Sequence, residues 1–419
     1  MKIKKGGRRQ FLKQGAAMAS LAVGGTRLVS GQNIVSEGLR PGRHLPYGVP
    51  SRFETTKRDY FNRGGRYSMT GSAGTPLQDL DGIITPSGLH FVISHGATPP
   101  DFDPRQHRLL IQGMVDRPLI FSLEELKRLP SVSRICFLEC GGNSSYRLST
   151  GRGGKGPRTV EDAHGRTSCS EWTGVLLSLL LKEAGIQKRA SWLVGEGAEG
   201  GWTISIPLEF SEEIIVAYRQ NGEAIRPEQG YPMRLVAPGL PGDHSVKWLR
   251  RVYVTNQPHM SSRDERGVIV RPDGRERLFK PEMPAKSTIT FPTAGHKLPG
   301  PGFYEITGLA WSGAGVIRRV EVSTDGGRTW KDAQLQEPVL SKAHTRFRLA
   351  WNWDGEETVL QSRCTDEKGQ GQPTIDEMAR AFGATKEEWK ETFDTPTYFN
   401  PIQPWRVNRD GTVDNALFS

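Results

Sequence analysis

The sequence predicts an α+β domain followed by a smaller all-β, immunoglobulin-like domain. Three observations lead there. Glycine and proline are abundant, 49 and 28 in 419 residues, which favours turns and irregular crossings over long helices. Strand-like and helix-like runs are mixed between residues 81 and 280. From about 285 the texture changes to short alternating strands separated by Gly/Asp turns, which reads as a sandwich reaching to about 408. The length exceeds one ordinary core, so two domains behind a targeting segment and an arm are the expected division.

Residues 1–30 contain Arg8-Arg9-Gln10-Phe11-Leu12-Lys13 and then a short Ala-rich run from Gln14 to Val23. A basic start, paired arginines and a mildly apolar stretch resemble a twin-arginine export signal, so a periplasmic location is expected. That route carries folded proteins, commonly around a cofactor already inserted. Residues 31–80 show no sustained period and read as an extended arm.

From 81 onward the elements follow in order. His90–Ser94 and Arg108–Gly113 read as strands, and Ser122-Leu123-Glu124-Glu125 is a capping box opening a short helix that Pro130 stops. Arg134–Glu139 is a β-like run ending in the turn Cys140-Gly141-Gly142-Asn143. Val175–Ala184 reads as a mostly buried helix closed by Gly185. Strands are expected around Trp192–Val194 and Ile214–Ala217, and a linker around Pro281–Pro284. In the second domain Tyr304–Trp311, Val320–Ser323 and Val359–Cys364 read as strands, with a hairpin turn at Asp325-Gly326-Gly327. The tail reads as one polar helix near Asp376–Trp389 and a coil.

The formal charge is +10, from 56 basic and 46 acidic residues. The basic residues are dispersed and no nucleic-acid motif accompanies them, so nucleic acid is not an expected partner. Steering of an acidic partner or an anionic substrate is the sharper reading of that charge. No apolar run is long enough for a stable membrane span. The four cysteines, Cys136, Cys140, Cys169 and Cys364, form no CxxC or CxxCH pattern, so no haem is expected on this chain.

Cys140 stands at a strand end among small residues, where a thiolate can reach a bound group. The run Leu138-Glu139-Cys140-Gly141-Gly142-Asn143 resembles the signature of the sulfite oxidase family, in which that cysteine ligates molybdenum. A soft thiolate suits such a metal. Gly230-Tyr231-Pro232-Met233-Arg234, Pro238-Gly239 and Ser245-Val246-Lys247-Trp248-Leu249 are similar to the family's central block. Phe91-Val92-Ile93-Ser94-His95 stands in the place of its Phe-Val-Arg-Asn-His strand. Trp311-Ser312-Gly313 and Asp325-Gly326-Gly327 resemble its C-terminal dimerisation domain. The texture is most similar to the sulfane dehydrogenase (SoxC-like) branch, which also lacks a fused haem domain.

The resemblance implies an α+β molybdopterin-binding domain over 81–280 and an immunoglobulin-like dimerisation domain over 285–408. It implies a molybdenum–molybdopterin cofactor with Cys140 as catalytic metal ligand. Phe91, Val92, His95, Glu199, Gln229, Arg234, Ser245, Val246 and Lys247 are the implied cofactor contacts, with Arg234 and Lys247 on the pterin phosphate. Glu199 and Gln229 replace residues that are often Asp and His in the family.

The implied substrate pocket departs from the family pattern. Ile93 replaces its first arginine, Ser144-Ser145 follow Asn143 where a pair of arginines is usual, and Val316 replaces another arginine. The segment Arg263–Val268 has no tyrosine. An anion in a partly dry site needs compensation, so either Arg147, Arg152 and Arg266 move in or the substrate is not free sulfite. His164 and Cys169 are candidates for the pocket entrance. The expected activity is oxidation of a small or carrier-bound reduced sulfur compound, with electrons passed to a separate c-type cytochrome, by a homodimer or heterocomplex. The rivals are a reductase of a sulfoxide-type substrate and a non-catalytic subunit of a sulfur-oxidising complex.

Overall fold

The computed structural model describes residues 48, 50–51, 53–58, 72–93, 99–145, 159–198, 202–261, 264, 268–270, 277–279, 282–392 and 398–418. The chain divides into two compact units, Met1–Thr55 and Thr56–Ser419. In the first, the Glu54 amide donates to the Ser51 carbonyl at 2.9 Å, closing a turn. The twin-arginine segment lies outside the described residues. No helix among the described residues is long and apolar enough to cross a membrane.

The second unit begins its regular structure with β1 (Arg108–Gly113) and β2 (Leu119–Ser122), then α1 (Leu123–Leu126) and β3 (Val132–Glu139). After α2 (Val160–His164) come β4 (Thr167–Leu176), α3 (Leu177–Ala184), β5 (Trp192–Gly197) and β6 (Thr203–Pro207). The strands β7 (Ile215–Gln220), β8 (Glu223–Ala224), β9 (Arg234–Val236) and β10 (Leu249–Thr255) follow. One sheet has the order β2-β1-β10-β5-β6, with β1 parallel to β10. A second has the order β3-β4-β7-β8, with β9 also paired to β7. Their core is built on the two-residue period of half-buried strands: Leu109 and Ile111 of β1 and Val252 and Val254 of β10 are fully buried.

The short helices form where the sequence caps them. Ser122 and Glu125 satisfy each other's backbone amides at the start of α1. In α3, Leu177, Leu180, Leu181 and Ala184 are buried at helical spacing. Gly185 ends it at φ 76, and a Cβ there would stand 2.6 Å from Asp116 Oδ2. The helix expected from Val175 starts two residues later, because Val175 and Leu176 pair with Val216 and Ile215 as the end of β4.

A short hairpin, β11 (Val268–Val270) with β12 (Arg277–Phe279), precedes the second half. There, β13 (Lys286–Phe291), β14 (Gly302–Trp311), β15 (Ile317–Ser323), β16 (Lys331–Asp332), β17 (Gln334–Leu335), β18 (Thr345–Trp353) and β19 (Thr358–Asp366) lead to the tail. The tail carries α4 (Ile375–Ala381), α5 (Lys386–Thr392), β20 (Pro404–Val407) and β21 (Val413–Asn415). The sheets β13-β14-β18-β17 and β16-β15-β19-β20-β21 close on Ile289, Leu309, Trp311, Val322, Phe347, Leu360 and Trp405, the sandwich the sequence predicts.

Three expectations are corrected. In the run His90–Ser94, of which residues 90–93 are described, no strand forms over the described residues: a 3-10 turn, Ser87–Leu89, precedes them, and a single bridge joins Val92 to Ala73. The tail holds two helices, separated at Gly383 with φ 67. Its supposed coil is two strands, because Trp405, Val407 and Val413 are buried in the sandwich.

Strand β3 lies between the sandwich core and a smaller apolar cluster. Cys136 and Leu138 pack with Trp172 and Ile215, while Phe137 on the opposite face joins the sandwich core. Coverage on both faces explains why the strand reads as a continuous apolar run rather than an alternation. It ends at Glu139 and so delivers Cys140.

Three buried imidazoles make the fold sensitive to acid. Burial pulls the pKa of His90, His164 and His344 down to about 3, against about 6.5 in an unfolded chain. Between those values the unfolded state binds more protons, so stability rises with pH and is lost as pH falls below about 6.5. Each group contributes a slope of about 1.4 kcal/mol per pH unit in that window. Denaturant midpoints measured from pH 7.5 to 4.5 should fall accordingly, and His344→Asn should flatten the fall; an unchanged slope would exclude His344 from it.

Candidate active site

The turn after β3 is pinned before any ligand is considered. The Cys140 amide donates to the Arg166 carbonyl at 3.0 Å, and the Asn143 amide donates back to the Cys140 carbonyl at 2.8 Å. The Asn143 side chain donates to Glu139 Oε1 and to the His164 carbonyl, and accepts from the Arg166 amide. Ser144, at φ 65, anchors to the Ala163 carbonyl and through Oγ to His164 Nδ1 at 2.6 Å. Neutral His164 donates from Nε2 to Gln403 Oε1 at 3.2 Å. Beneath the turn, Glu139 is fully buried and accepts from Lys286 Nζ, Trp311 Nε1 and Asn143 Nδ2 at 2.7, 2.7 and 2.9 Å. Gly242 lies against the same segment, and a Cβ there would stand 2.9 Å from the Glu139 carbonyl.

Cys140 faces a cavity of about 300 Å³. Burial pushes its thiol pKa up, with Arg166 acting in the opposite direction. A soft metal that accepts this sulfur would displace the proton.

Most of the residues implied by the family pattern converge on this cavity. Phe91, Val92, Gln229, Arg234, Ser245, Val246 and Lys247 all line it. The Phe91 carbonyl accepts from Gln229 Nε2 at 2.8 Å, and Val92 is bonded in both directions to Ala73. Arg234 is buried over the Trp172 ring at 5.0 Å and donates to the carbonyls of Gln229 and Ser245 at 2.9 and 2.7 Å. Burial lowers its pKa to about 9. The Ser245 hydroxyl accepts the Ala237 amide at 3.0 Å, and the Val246 carbonyl accepts the Leu235 amide. Lys247 Nζ donates to the Ile93 carbonyl at 3.0 Å and lies over the Trp248 ring. Arg234 and Lys247 therefore brace the wall of the cavity as well as lining it. His95 and Glu199 lie outside the described residues, as do Arg147, Arg152 and Arg266.

Two expectations are corrected here. His164 and Cys169 do not shape the entrance. His164 is buried behind the turn between Ser144 and Gln403, and Cys169 packs into the sandwich core with its thiol pushed up to about 12 by burial.

The sequence assigned no site role to His90, Arg166, Asp243, His244 or Tyr398, all of which line the cavity. His90 and His244 are buried, and the Nε2 of each has no hydrogen-bond partner among the described residues. His90 is neutral, and the 3.1 Å contact of Nδ1 with the Phe91 carbonyl assigns its proton there. Its Nε2 is then a bare acceptor. His244 Nδ1 lies 2.9 Å from Asp243 Oδ1, which fixes its ring. An unpaired buried polar atom on a cavity wall is one that a bound group can satisfy. A thiol, two unpaired imidazole nitrogens and the cations Arg234 and Lys247 on the wall fit a heteroatom-rich cofactor that offers N–H donors and a thiophilic metal.

Fold and cavity together define a cofactor-dependent oxidoreductase class. The oxidoreductase molybdopterin binding domain matches residues 95–263 and the Mo-co oxidoreductase dimerisation domain matches 277–391. The solved sulfane dehydrogenase SoxCD from Paracoccus pantotrophus superposes with a TM-score of 0.83 at 36% identity, covering 94% of this chain and 99% of that one. Mitochondrial sulfite oxidase from Mus musculus is 32% identical over 65% of this chain and 52% of its own length. A nitrate reductase from Brassica napus is 33% identical over 74% of this chain and 38% of its own. The chain thus spans about a third of the nitrate reductases it matches and about half of the sulfite oxidase. The protein belongs to the sulfite oxidase family of molybdopterin oxidoreductases, and within it to the SoxC type.

Proposed function

We propose that the protein works in the periplasm as a molybdenum-dependent dehydrogenase of a reduced sulfur compound, passing electrons to a separate c-type cytochrome. The carrying observation is Cys140, held on a pinned turn at the wall of a cavity that also presents the unpaired Nε2 atoms of the buried His90 and His244. When bound, the molybdenum–pterin group supplies the two-electron redox chemistry. The chain's residues do the rest. Cys140 provides the thiolate, His90 and His244 offer Nε2 to the pterin, and Arg234 keeps the Gln229 and Ser245 backbones in place. Glu139, Asn143 and Ser144 prevent the turn from drifting.

The substrate reading favours sulfane sulfur carried on a partner over free sulfite. Among the described cavity residues, Arg166, Arg234 and Lys247 stand beside Glu228, Asp243 and Asp264. Two of these cations already hold backbone carbonyls. A dianion would meet carboxylates as well as cations, which is costly in a partly dry site. Export by the twin-arginine route is supported by Arg8-Arg9 and the Ala-rich run behind them.

Turnover with oxidised cytochrome c is expected to be faster with a protein-borne persulfide than with sulfite. It should fall by roughly tenfold or more between low and physiological salt, as steering by the +10 chain requires. A flat salt response would remove the steering argument. Activity only with a reduced dye and a sulfoxide would select the reductase reading. Inertness until a haem protein is added would select the partner-subunit reading.

A further inference from the structure

We propose that Tyr398 is a residue of the active site, its phenol donating a hydrogen bond to an acceptor atom of the cofactor or substrate beside Cys140. The inference deepens the proposed function and rests on it. Tyr398 is remote in sequence from every other residue of the cavity and follows the helices of the tail. The structure nevertheless places it on the cavity wall, with its amide donating to the Gly141 carbonyl at 2.9 Å. It is thereby attached to the residue that follows the thiolate.

The placement is fixed from both sides. Tyr398 has φ 66, a backbone region that a bulky side chain occupies only when its surroundings hold it there. Phe399 is fully buried between Trp389 and Phe418, with ring centroids at 5.7 and 6.3 Å. Asn400 Nδ2 donates to the Ala285 carbonyl at 2.9 Å. Gln403 accepts from His164, which in turn holds Ser144 of the Cys140 turn. The tail thus grips the turn at Gly141 and, through His164, at Ser144.

The phenol itself is left available. Its ring packs on the sandwich core, and its hydroxyl makes no hydrogen bond to a described residue. A phenol is a neutral O–H donor at neutral pH. Among the described cavity residues Tyr398 is the one phenol. Its nearby carboxylate, Asp243, is bonded to His244. A neutral donor on the wall of a site that handles anionic or polarised groups stabilises developing charge without adding a cation.

Tyr398→Phe removes the hydroxyl alone and keeps the ring, the backbone and the bond to Gly141. In the molybdenum-loaded full-length protein, the variant is expected to retain its metal and its melting temperature. A cofactor acceptor would show as a shifted visible absorption of the resting centre; a substrate acceptor would show as a kcat loss of about 10- to 100-fold with an unchanged resting spectrum. A variant with wild-type spectrum, kcat and KM would overturn the proposal and leave Tyr398 as packing only. Metal analysis of the wild type in the same preparation separates the two readings. Loaded wild type with an indifferent variant refutes the role of Tyr398 alone, whereas wild type without molybdenum refutes both.

Discussion

Cys140→Ser is expected to lower turnover by on the order of a thousandfold while the fold survives. Loss of outer partners of metal ligands alone costs 10- to 100-fold, and this change replaces the ligand itself by a hard, weakly acidic hydroxyl. The fold should be indifferent, because the turn is held by backbone amides of Cys140 and Asn143 and by the side chains of Asn143 and Ser144, none of which involves the sulfur. Steady-state rates beside a denaturation curve check both halves. Stability equal to wild type with activity above about a tenth would mean that the thiolate is not the chain's ligand.

The second large effect concerns the buried ion pair beneath that cysteine. Lys286→Met is expected to destabilise the protein by about 3–5 kcal/mol, since it strands the Glu139 carboxylate in the interior. Both side chains are almost wholly buried, and their 2.7 Å contact ties β3 to the first strand of the sandwich. Trp311 and Asn143 would remain as donors but carry no charge. The double variant Glu139→Gln with Lys286→Met should recover most of the loss, because no unpaired charge is left. A double variant as unstable as the single one would show that shape rather than charge dominates the site.

The pair also explains which parts of the molecule were legible in the sequence. Strands such as Arg108–Gly113 and Tyr304–Trp311 follow from local alternation, and the α1 cap from four consecutive residues. The cysteine turn and the block around Arg234 and Lys247 were legible because they are contiguous runs. Glu139 lies within the cysteine motif, but nothing local reveals that its partners are Lys286 and Trp311. Long-range pairing is decided by tertiary packing. The same limit hid Tyr398: its site role depends on a tail that looks polar and loop-like, whose buried Phe399 stands outside any strand and whose two-residue alternation at Trp405 and Val407 is too short to stand out. His244 stood beside the block already singled out, and its neighbour Ser245 was the residue assigned a contact. His164 was misplaced for the opposite reason. A Gly-rich neighbourhood reads as an exposed loop, whereas α2 and its Thr159 cap carry the ring inward to Ser144 and Gln403.

The departures from the family pocket take on physical form in the structure. Ile93 contributes its carbonyl to Lys247, and Ser144 is committed to His164. Neither position presents a cation to the cavity. Arg166, on the segment leading into β4, does line it, and its carbonyl also receives the Cys140 amide. Arg166 is thus a cation of the cavity that comes from a different element than those positions, a placement visible only once β3 and β4 are paired.

The most direct test of the central claim is metal analysis, with a visible spectrum, of the full-length protein matured in a host that makes the pterin cofactor. Near-stoichiometric molybdenum, with a sulfur-to-metal absorption that Cys140→Ser alters, is the result predicted by a thiolate at the cavity wall. Properly matured wild-type protein without molybdenum, or a spectrum indifferent to Cys140, would contradict it.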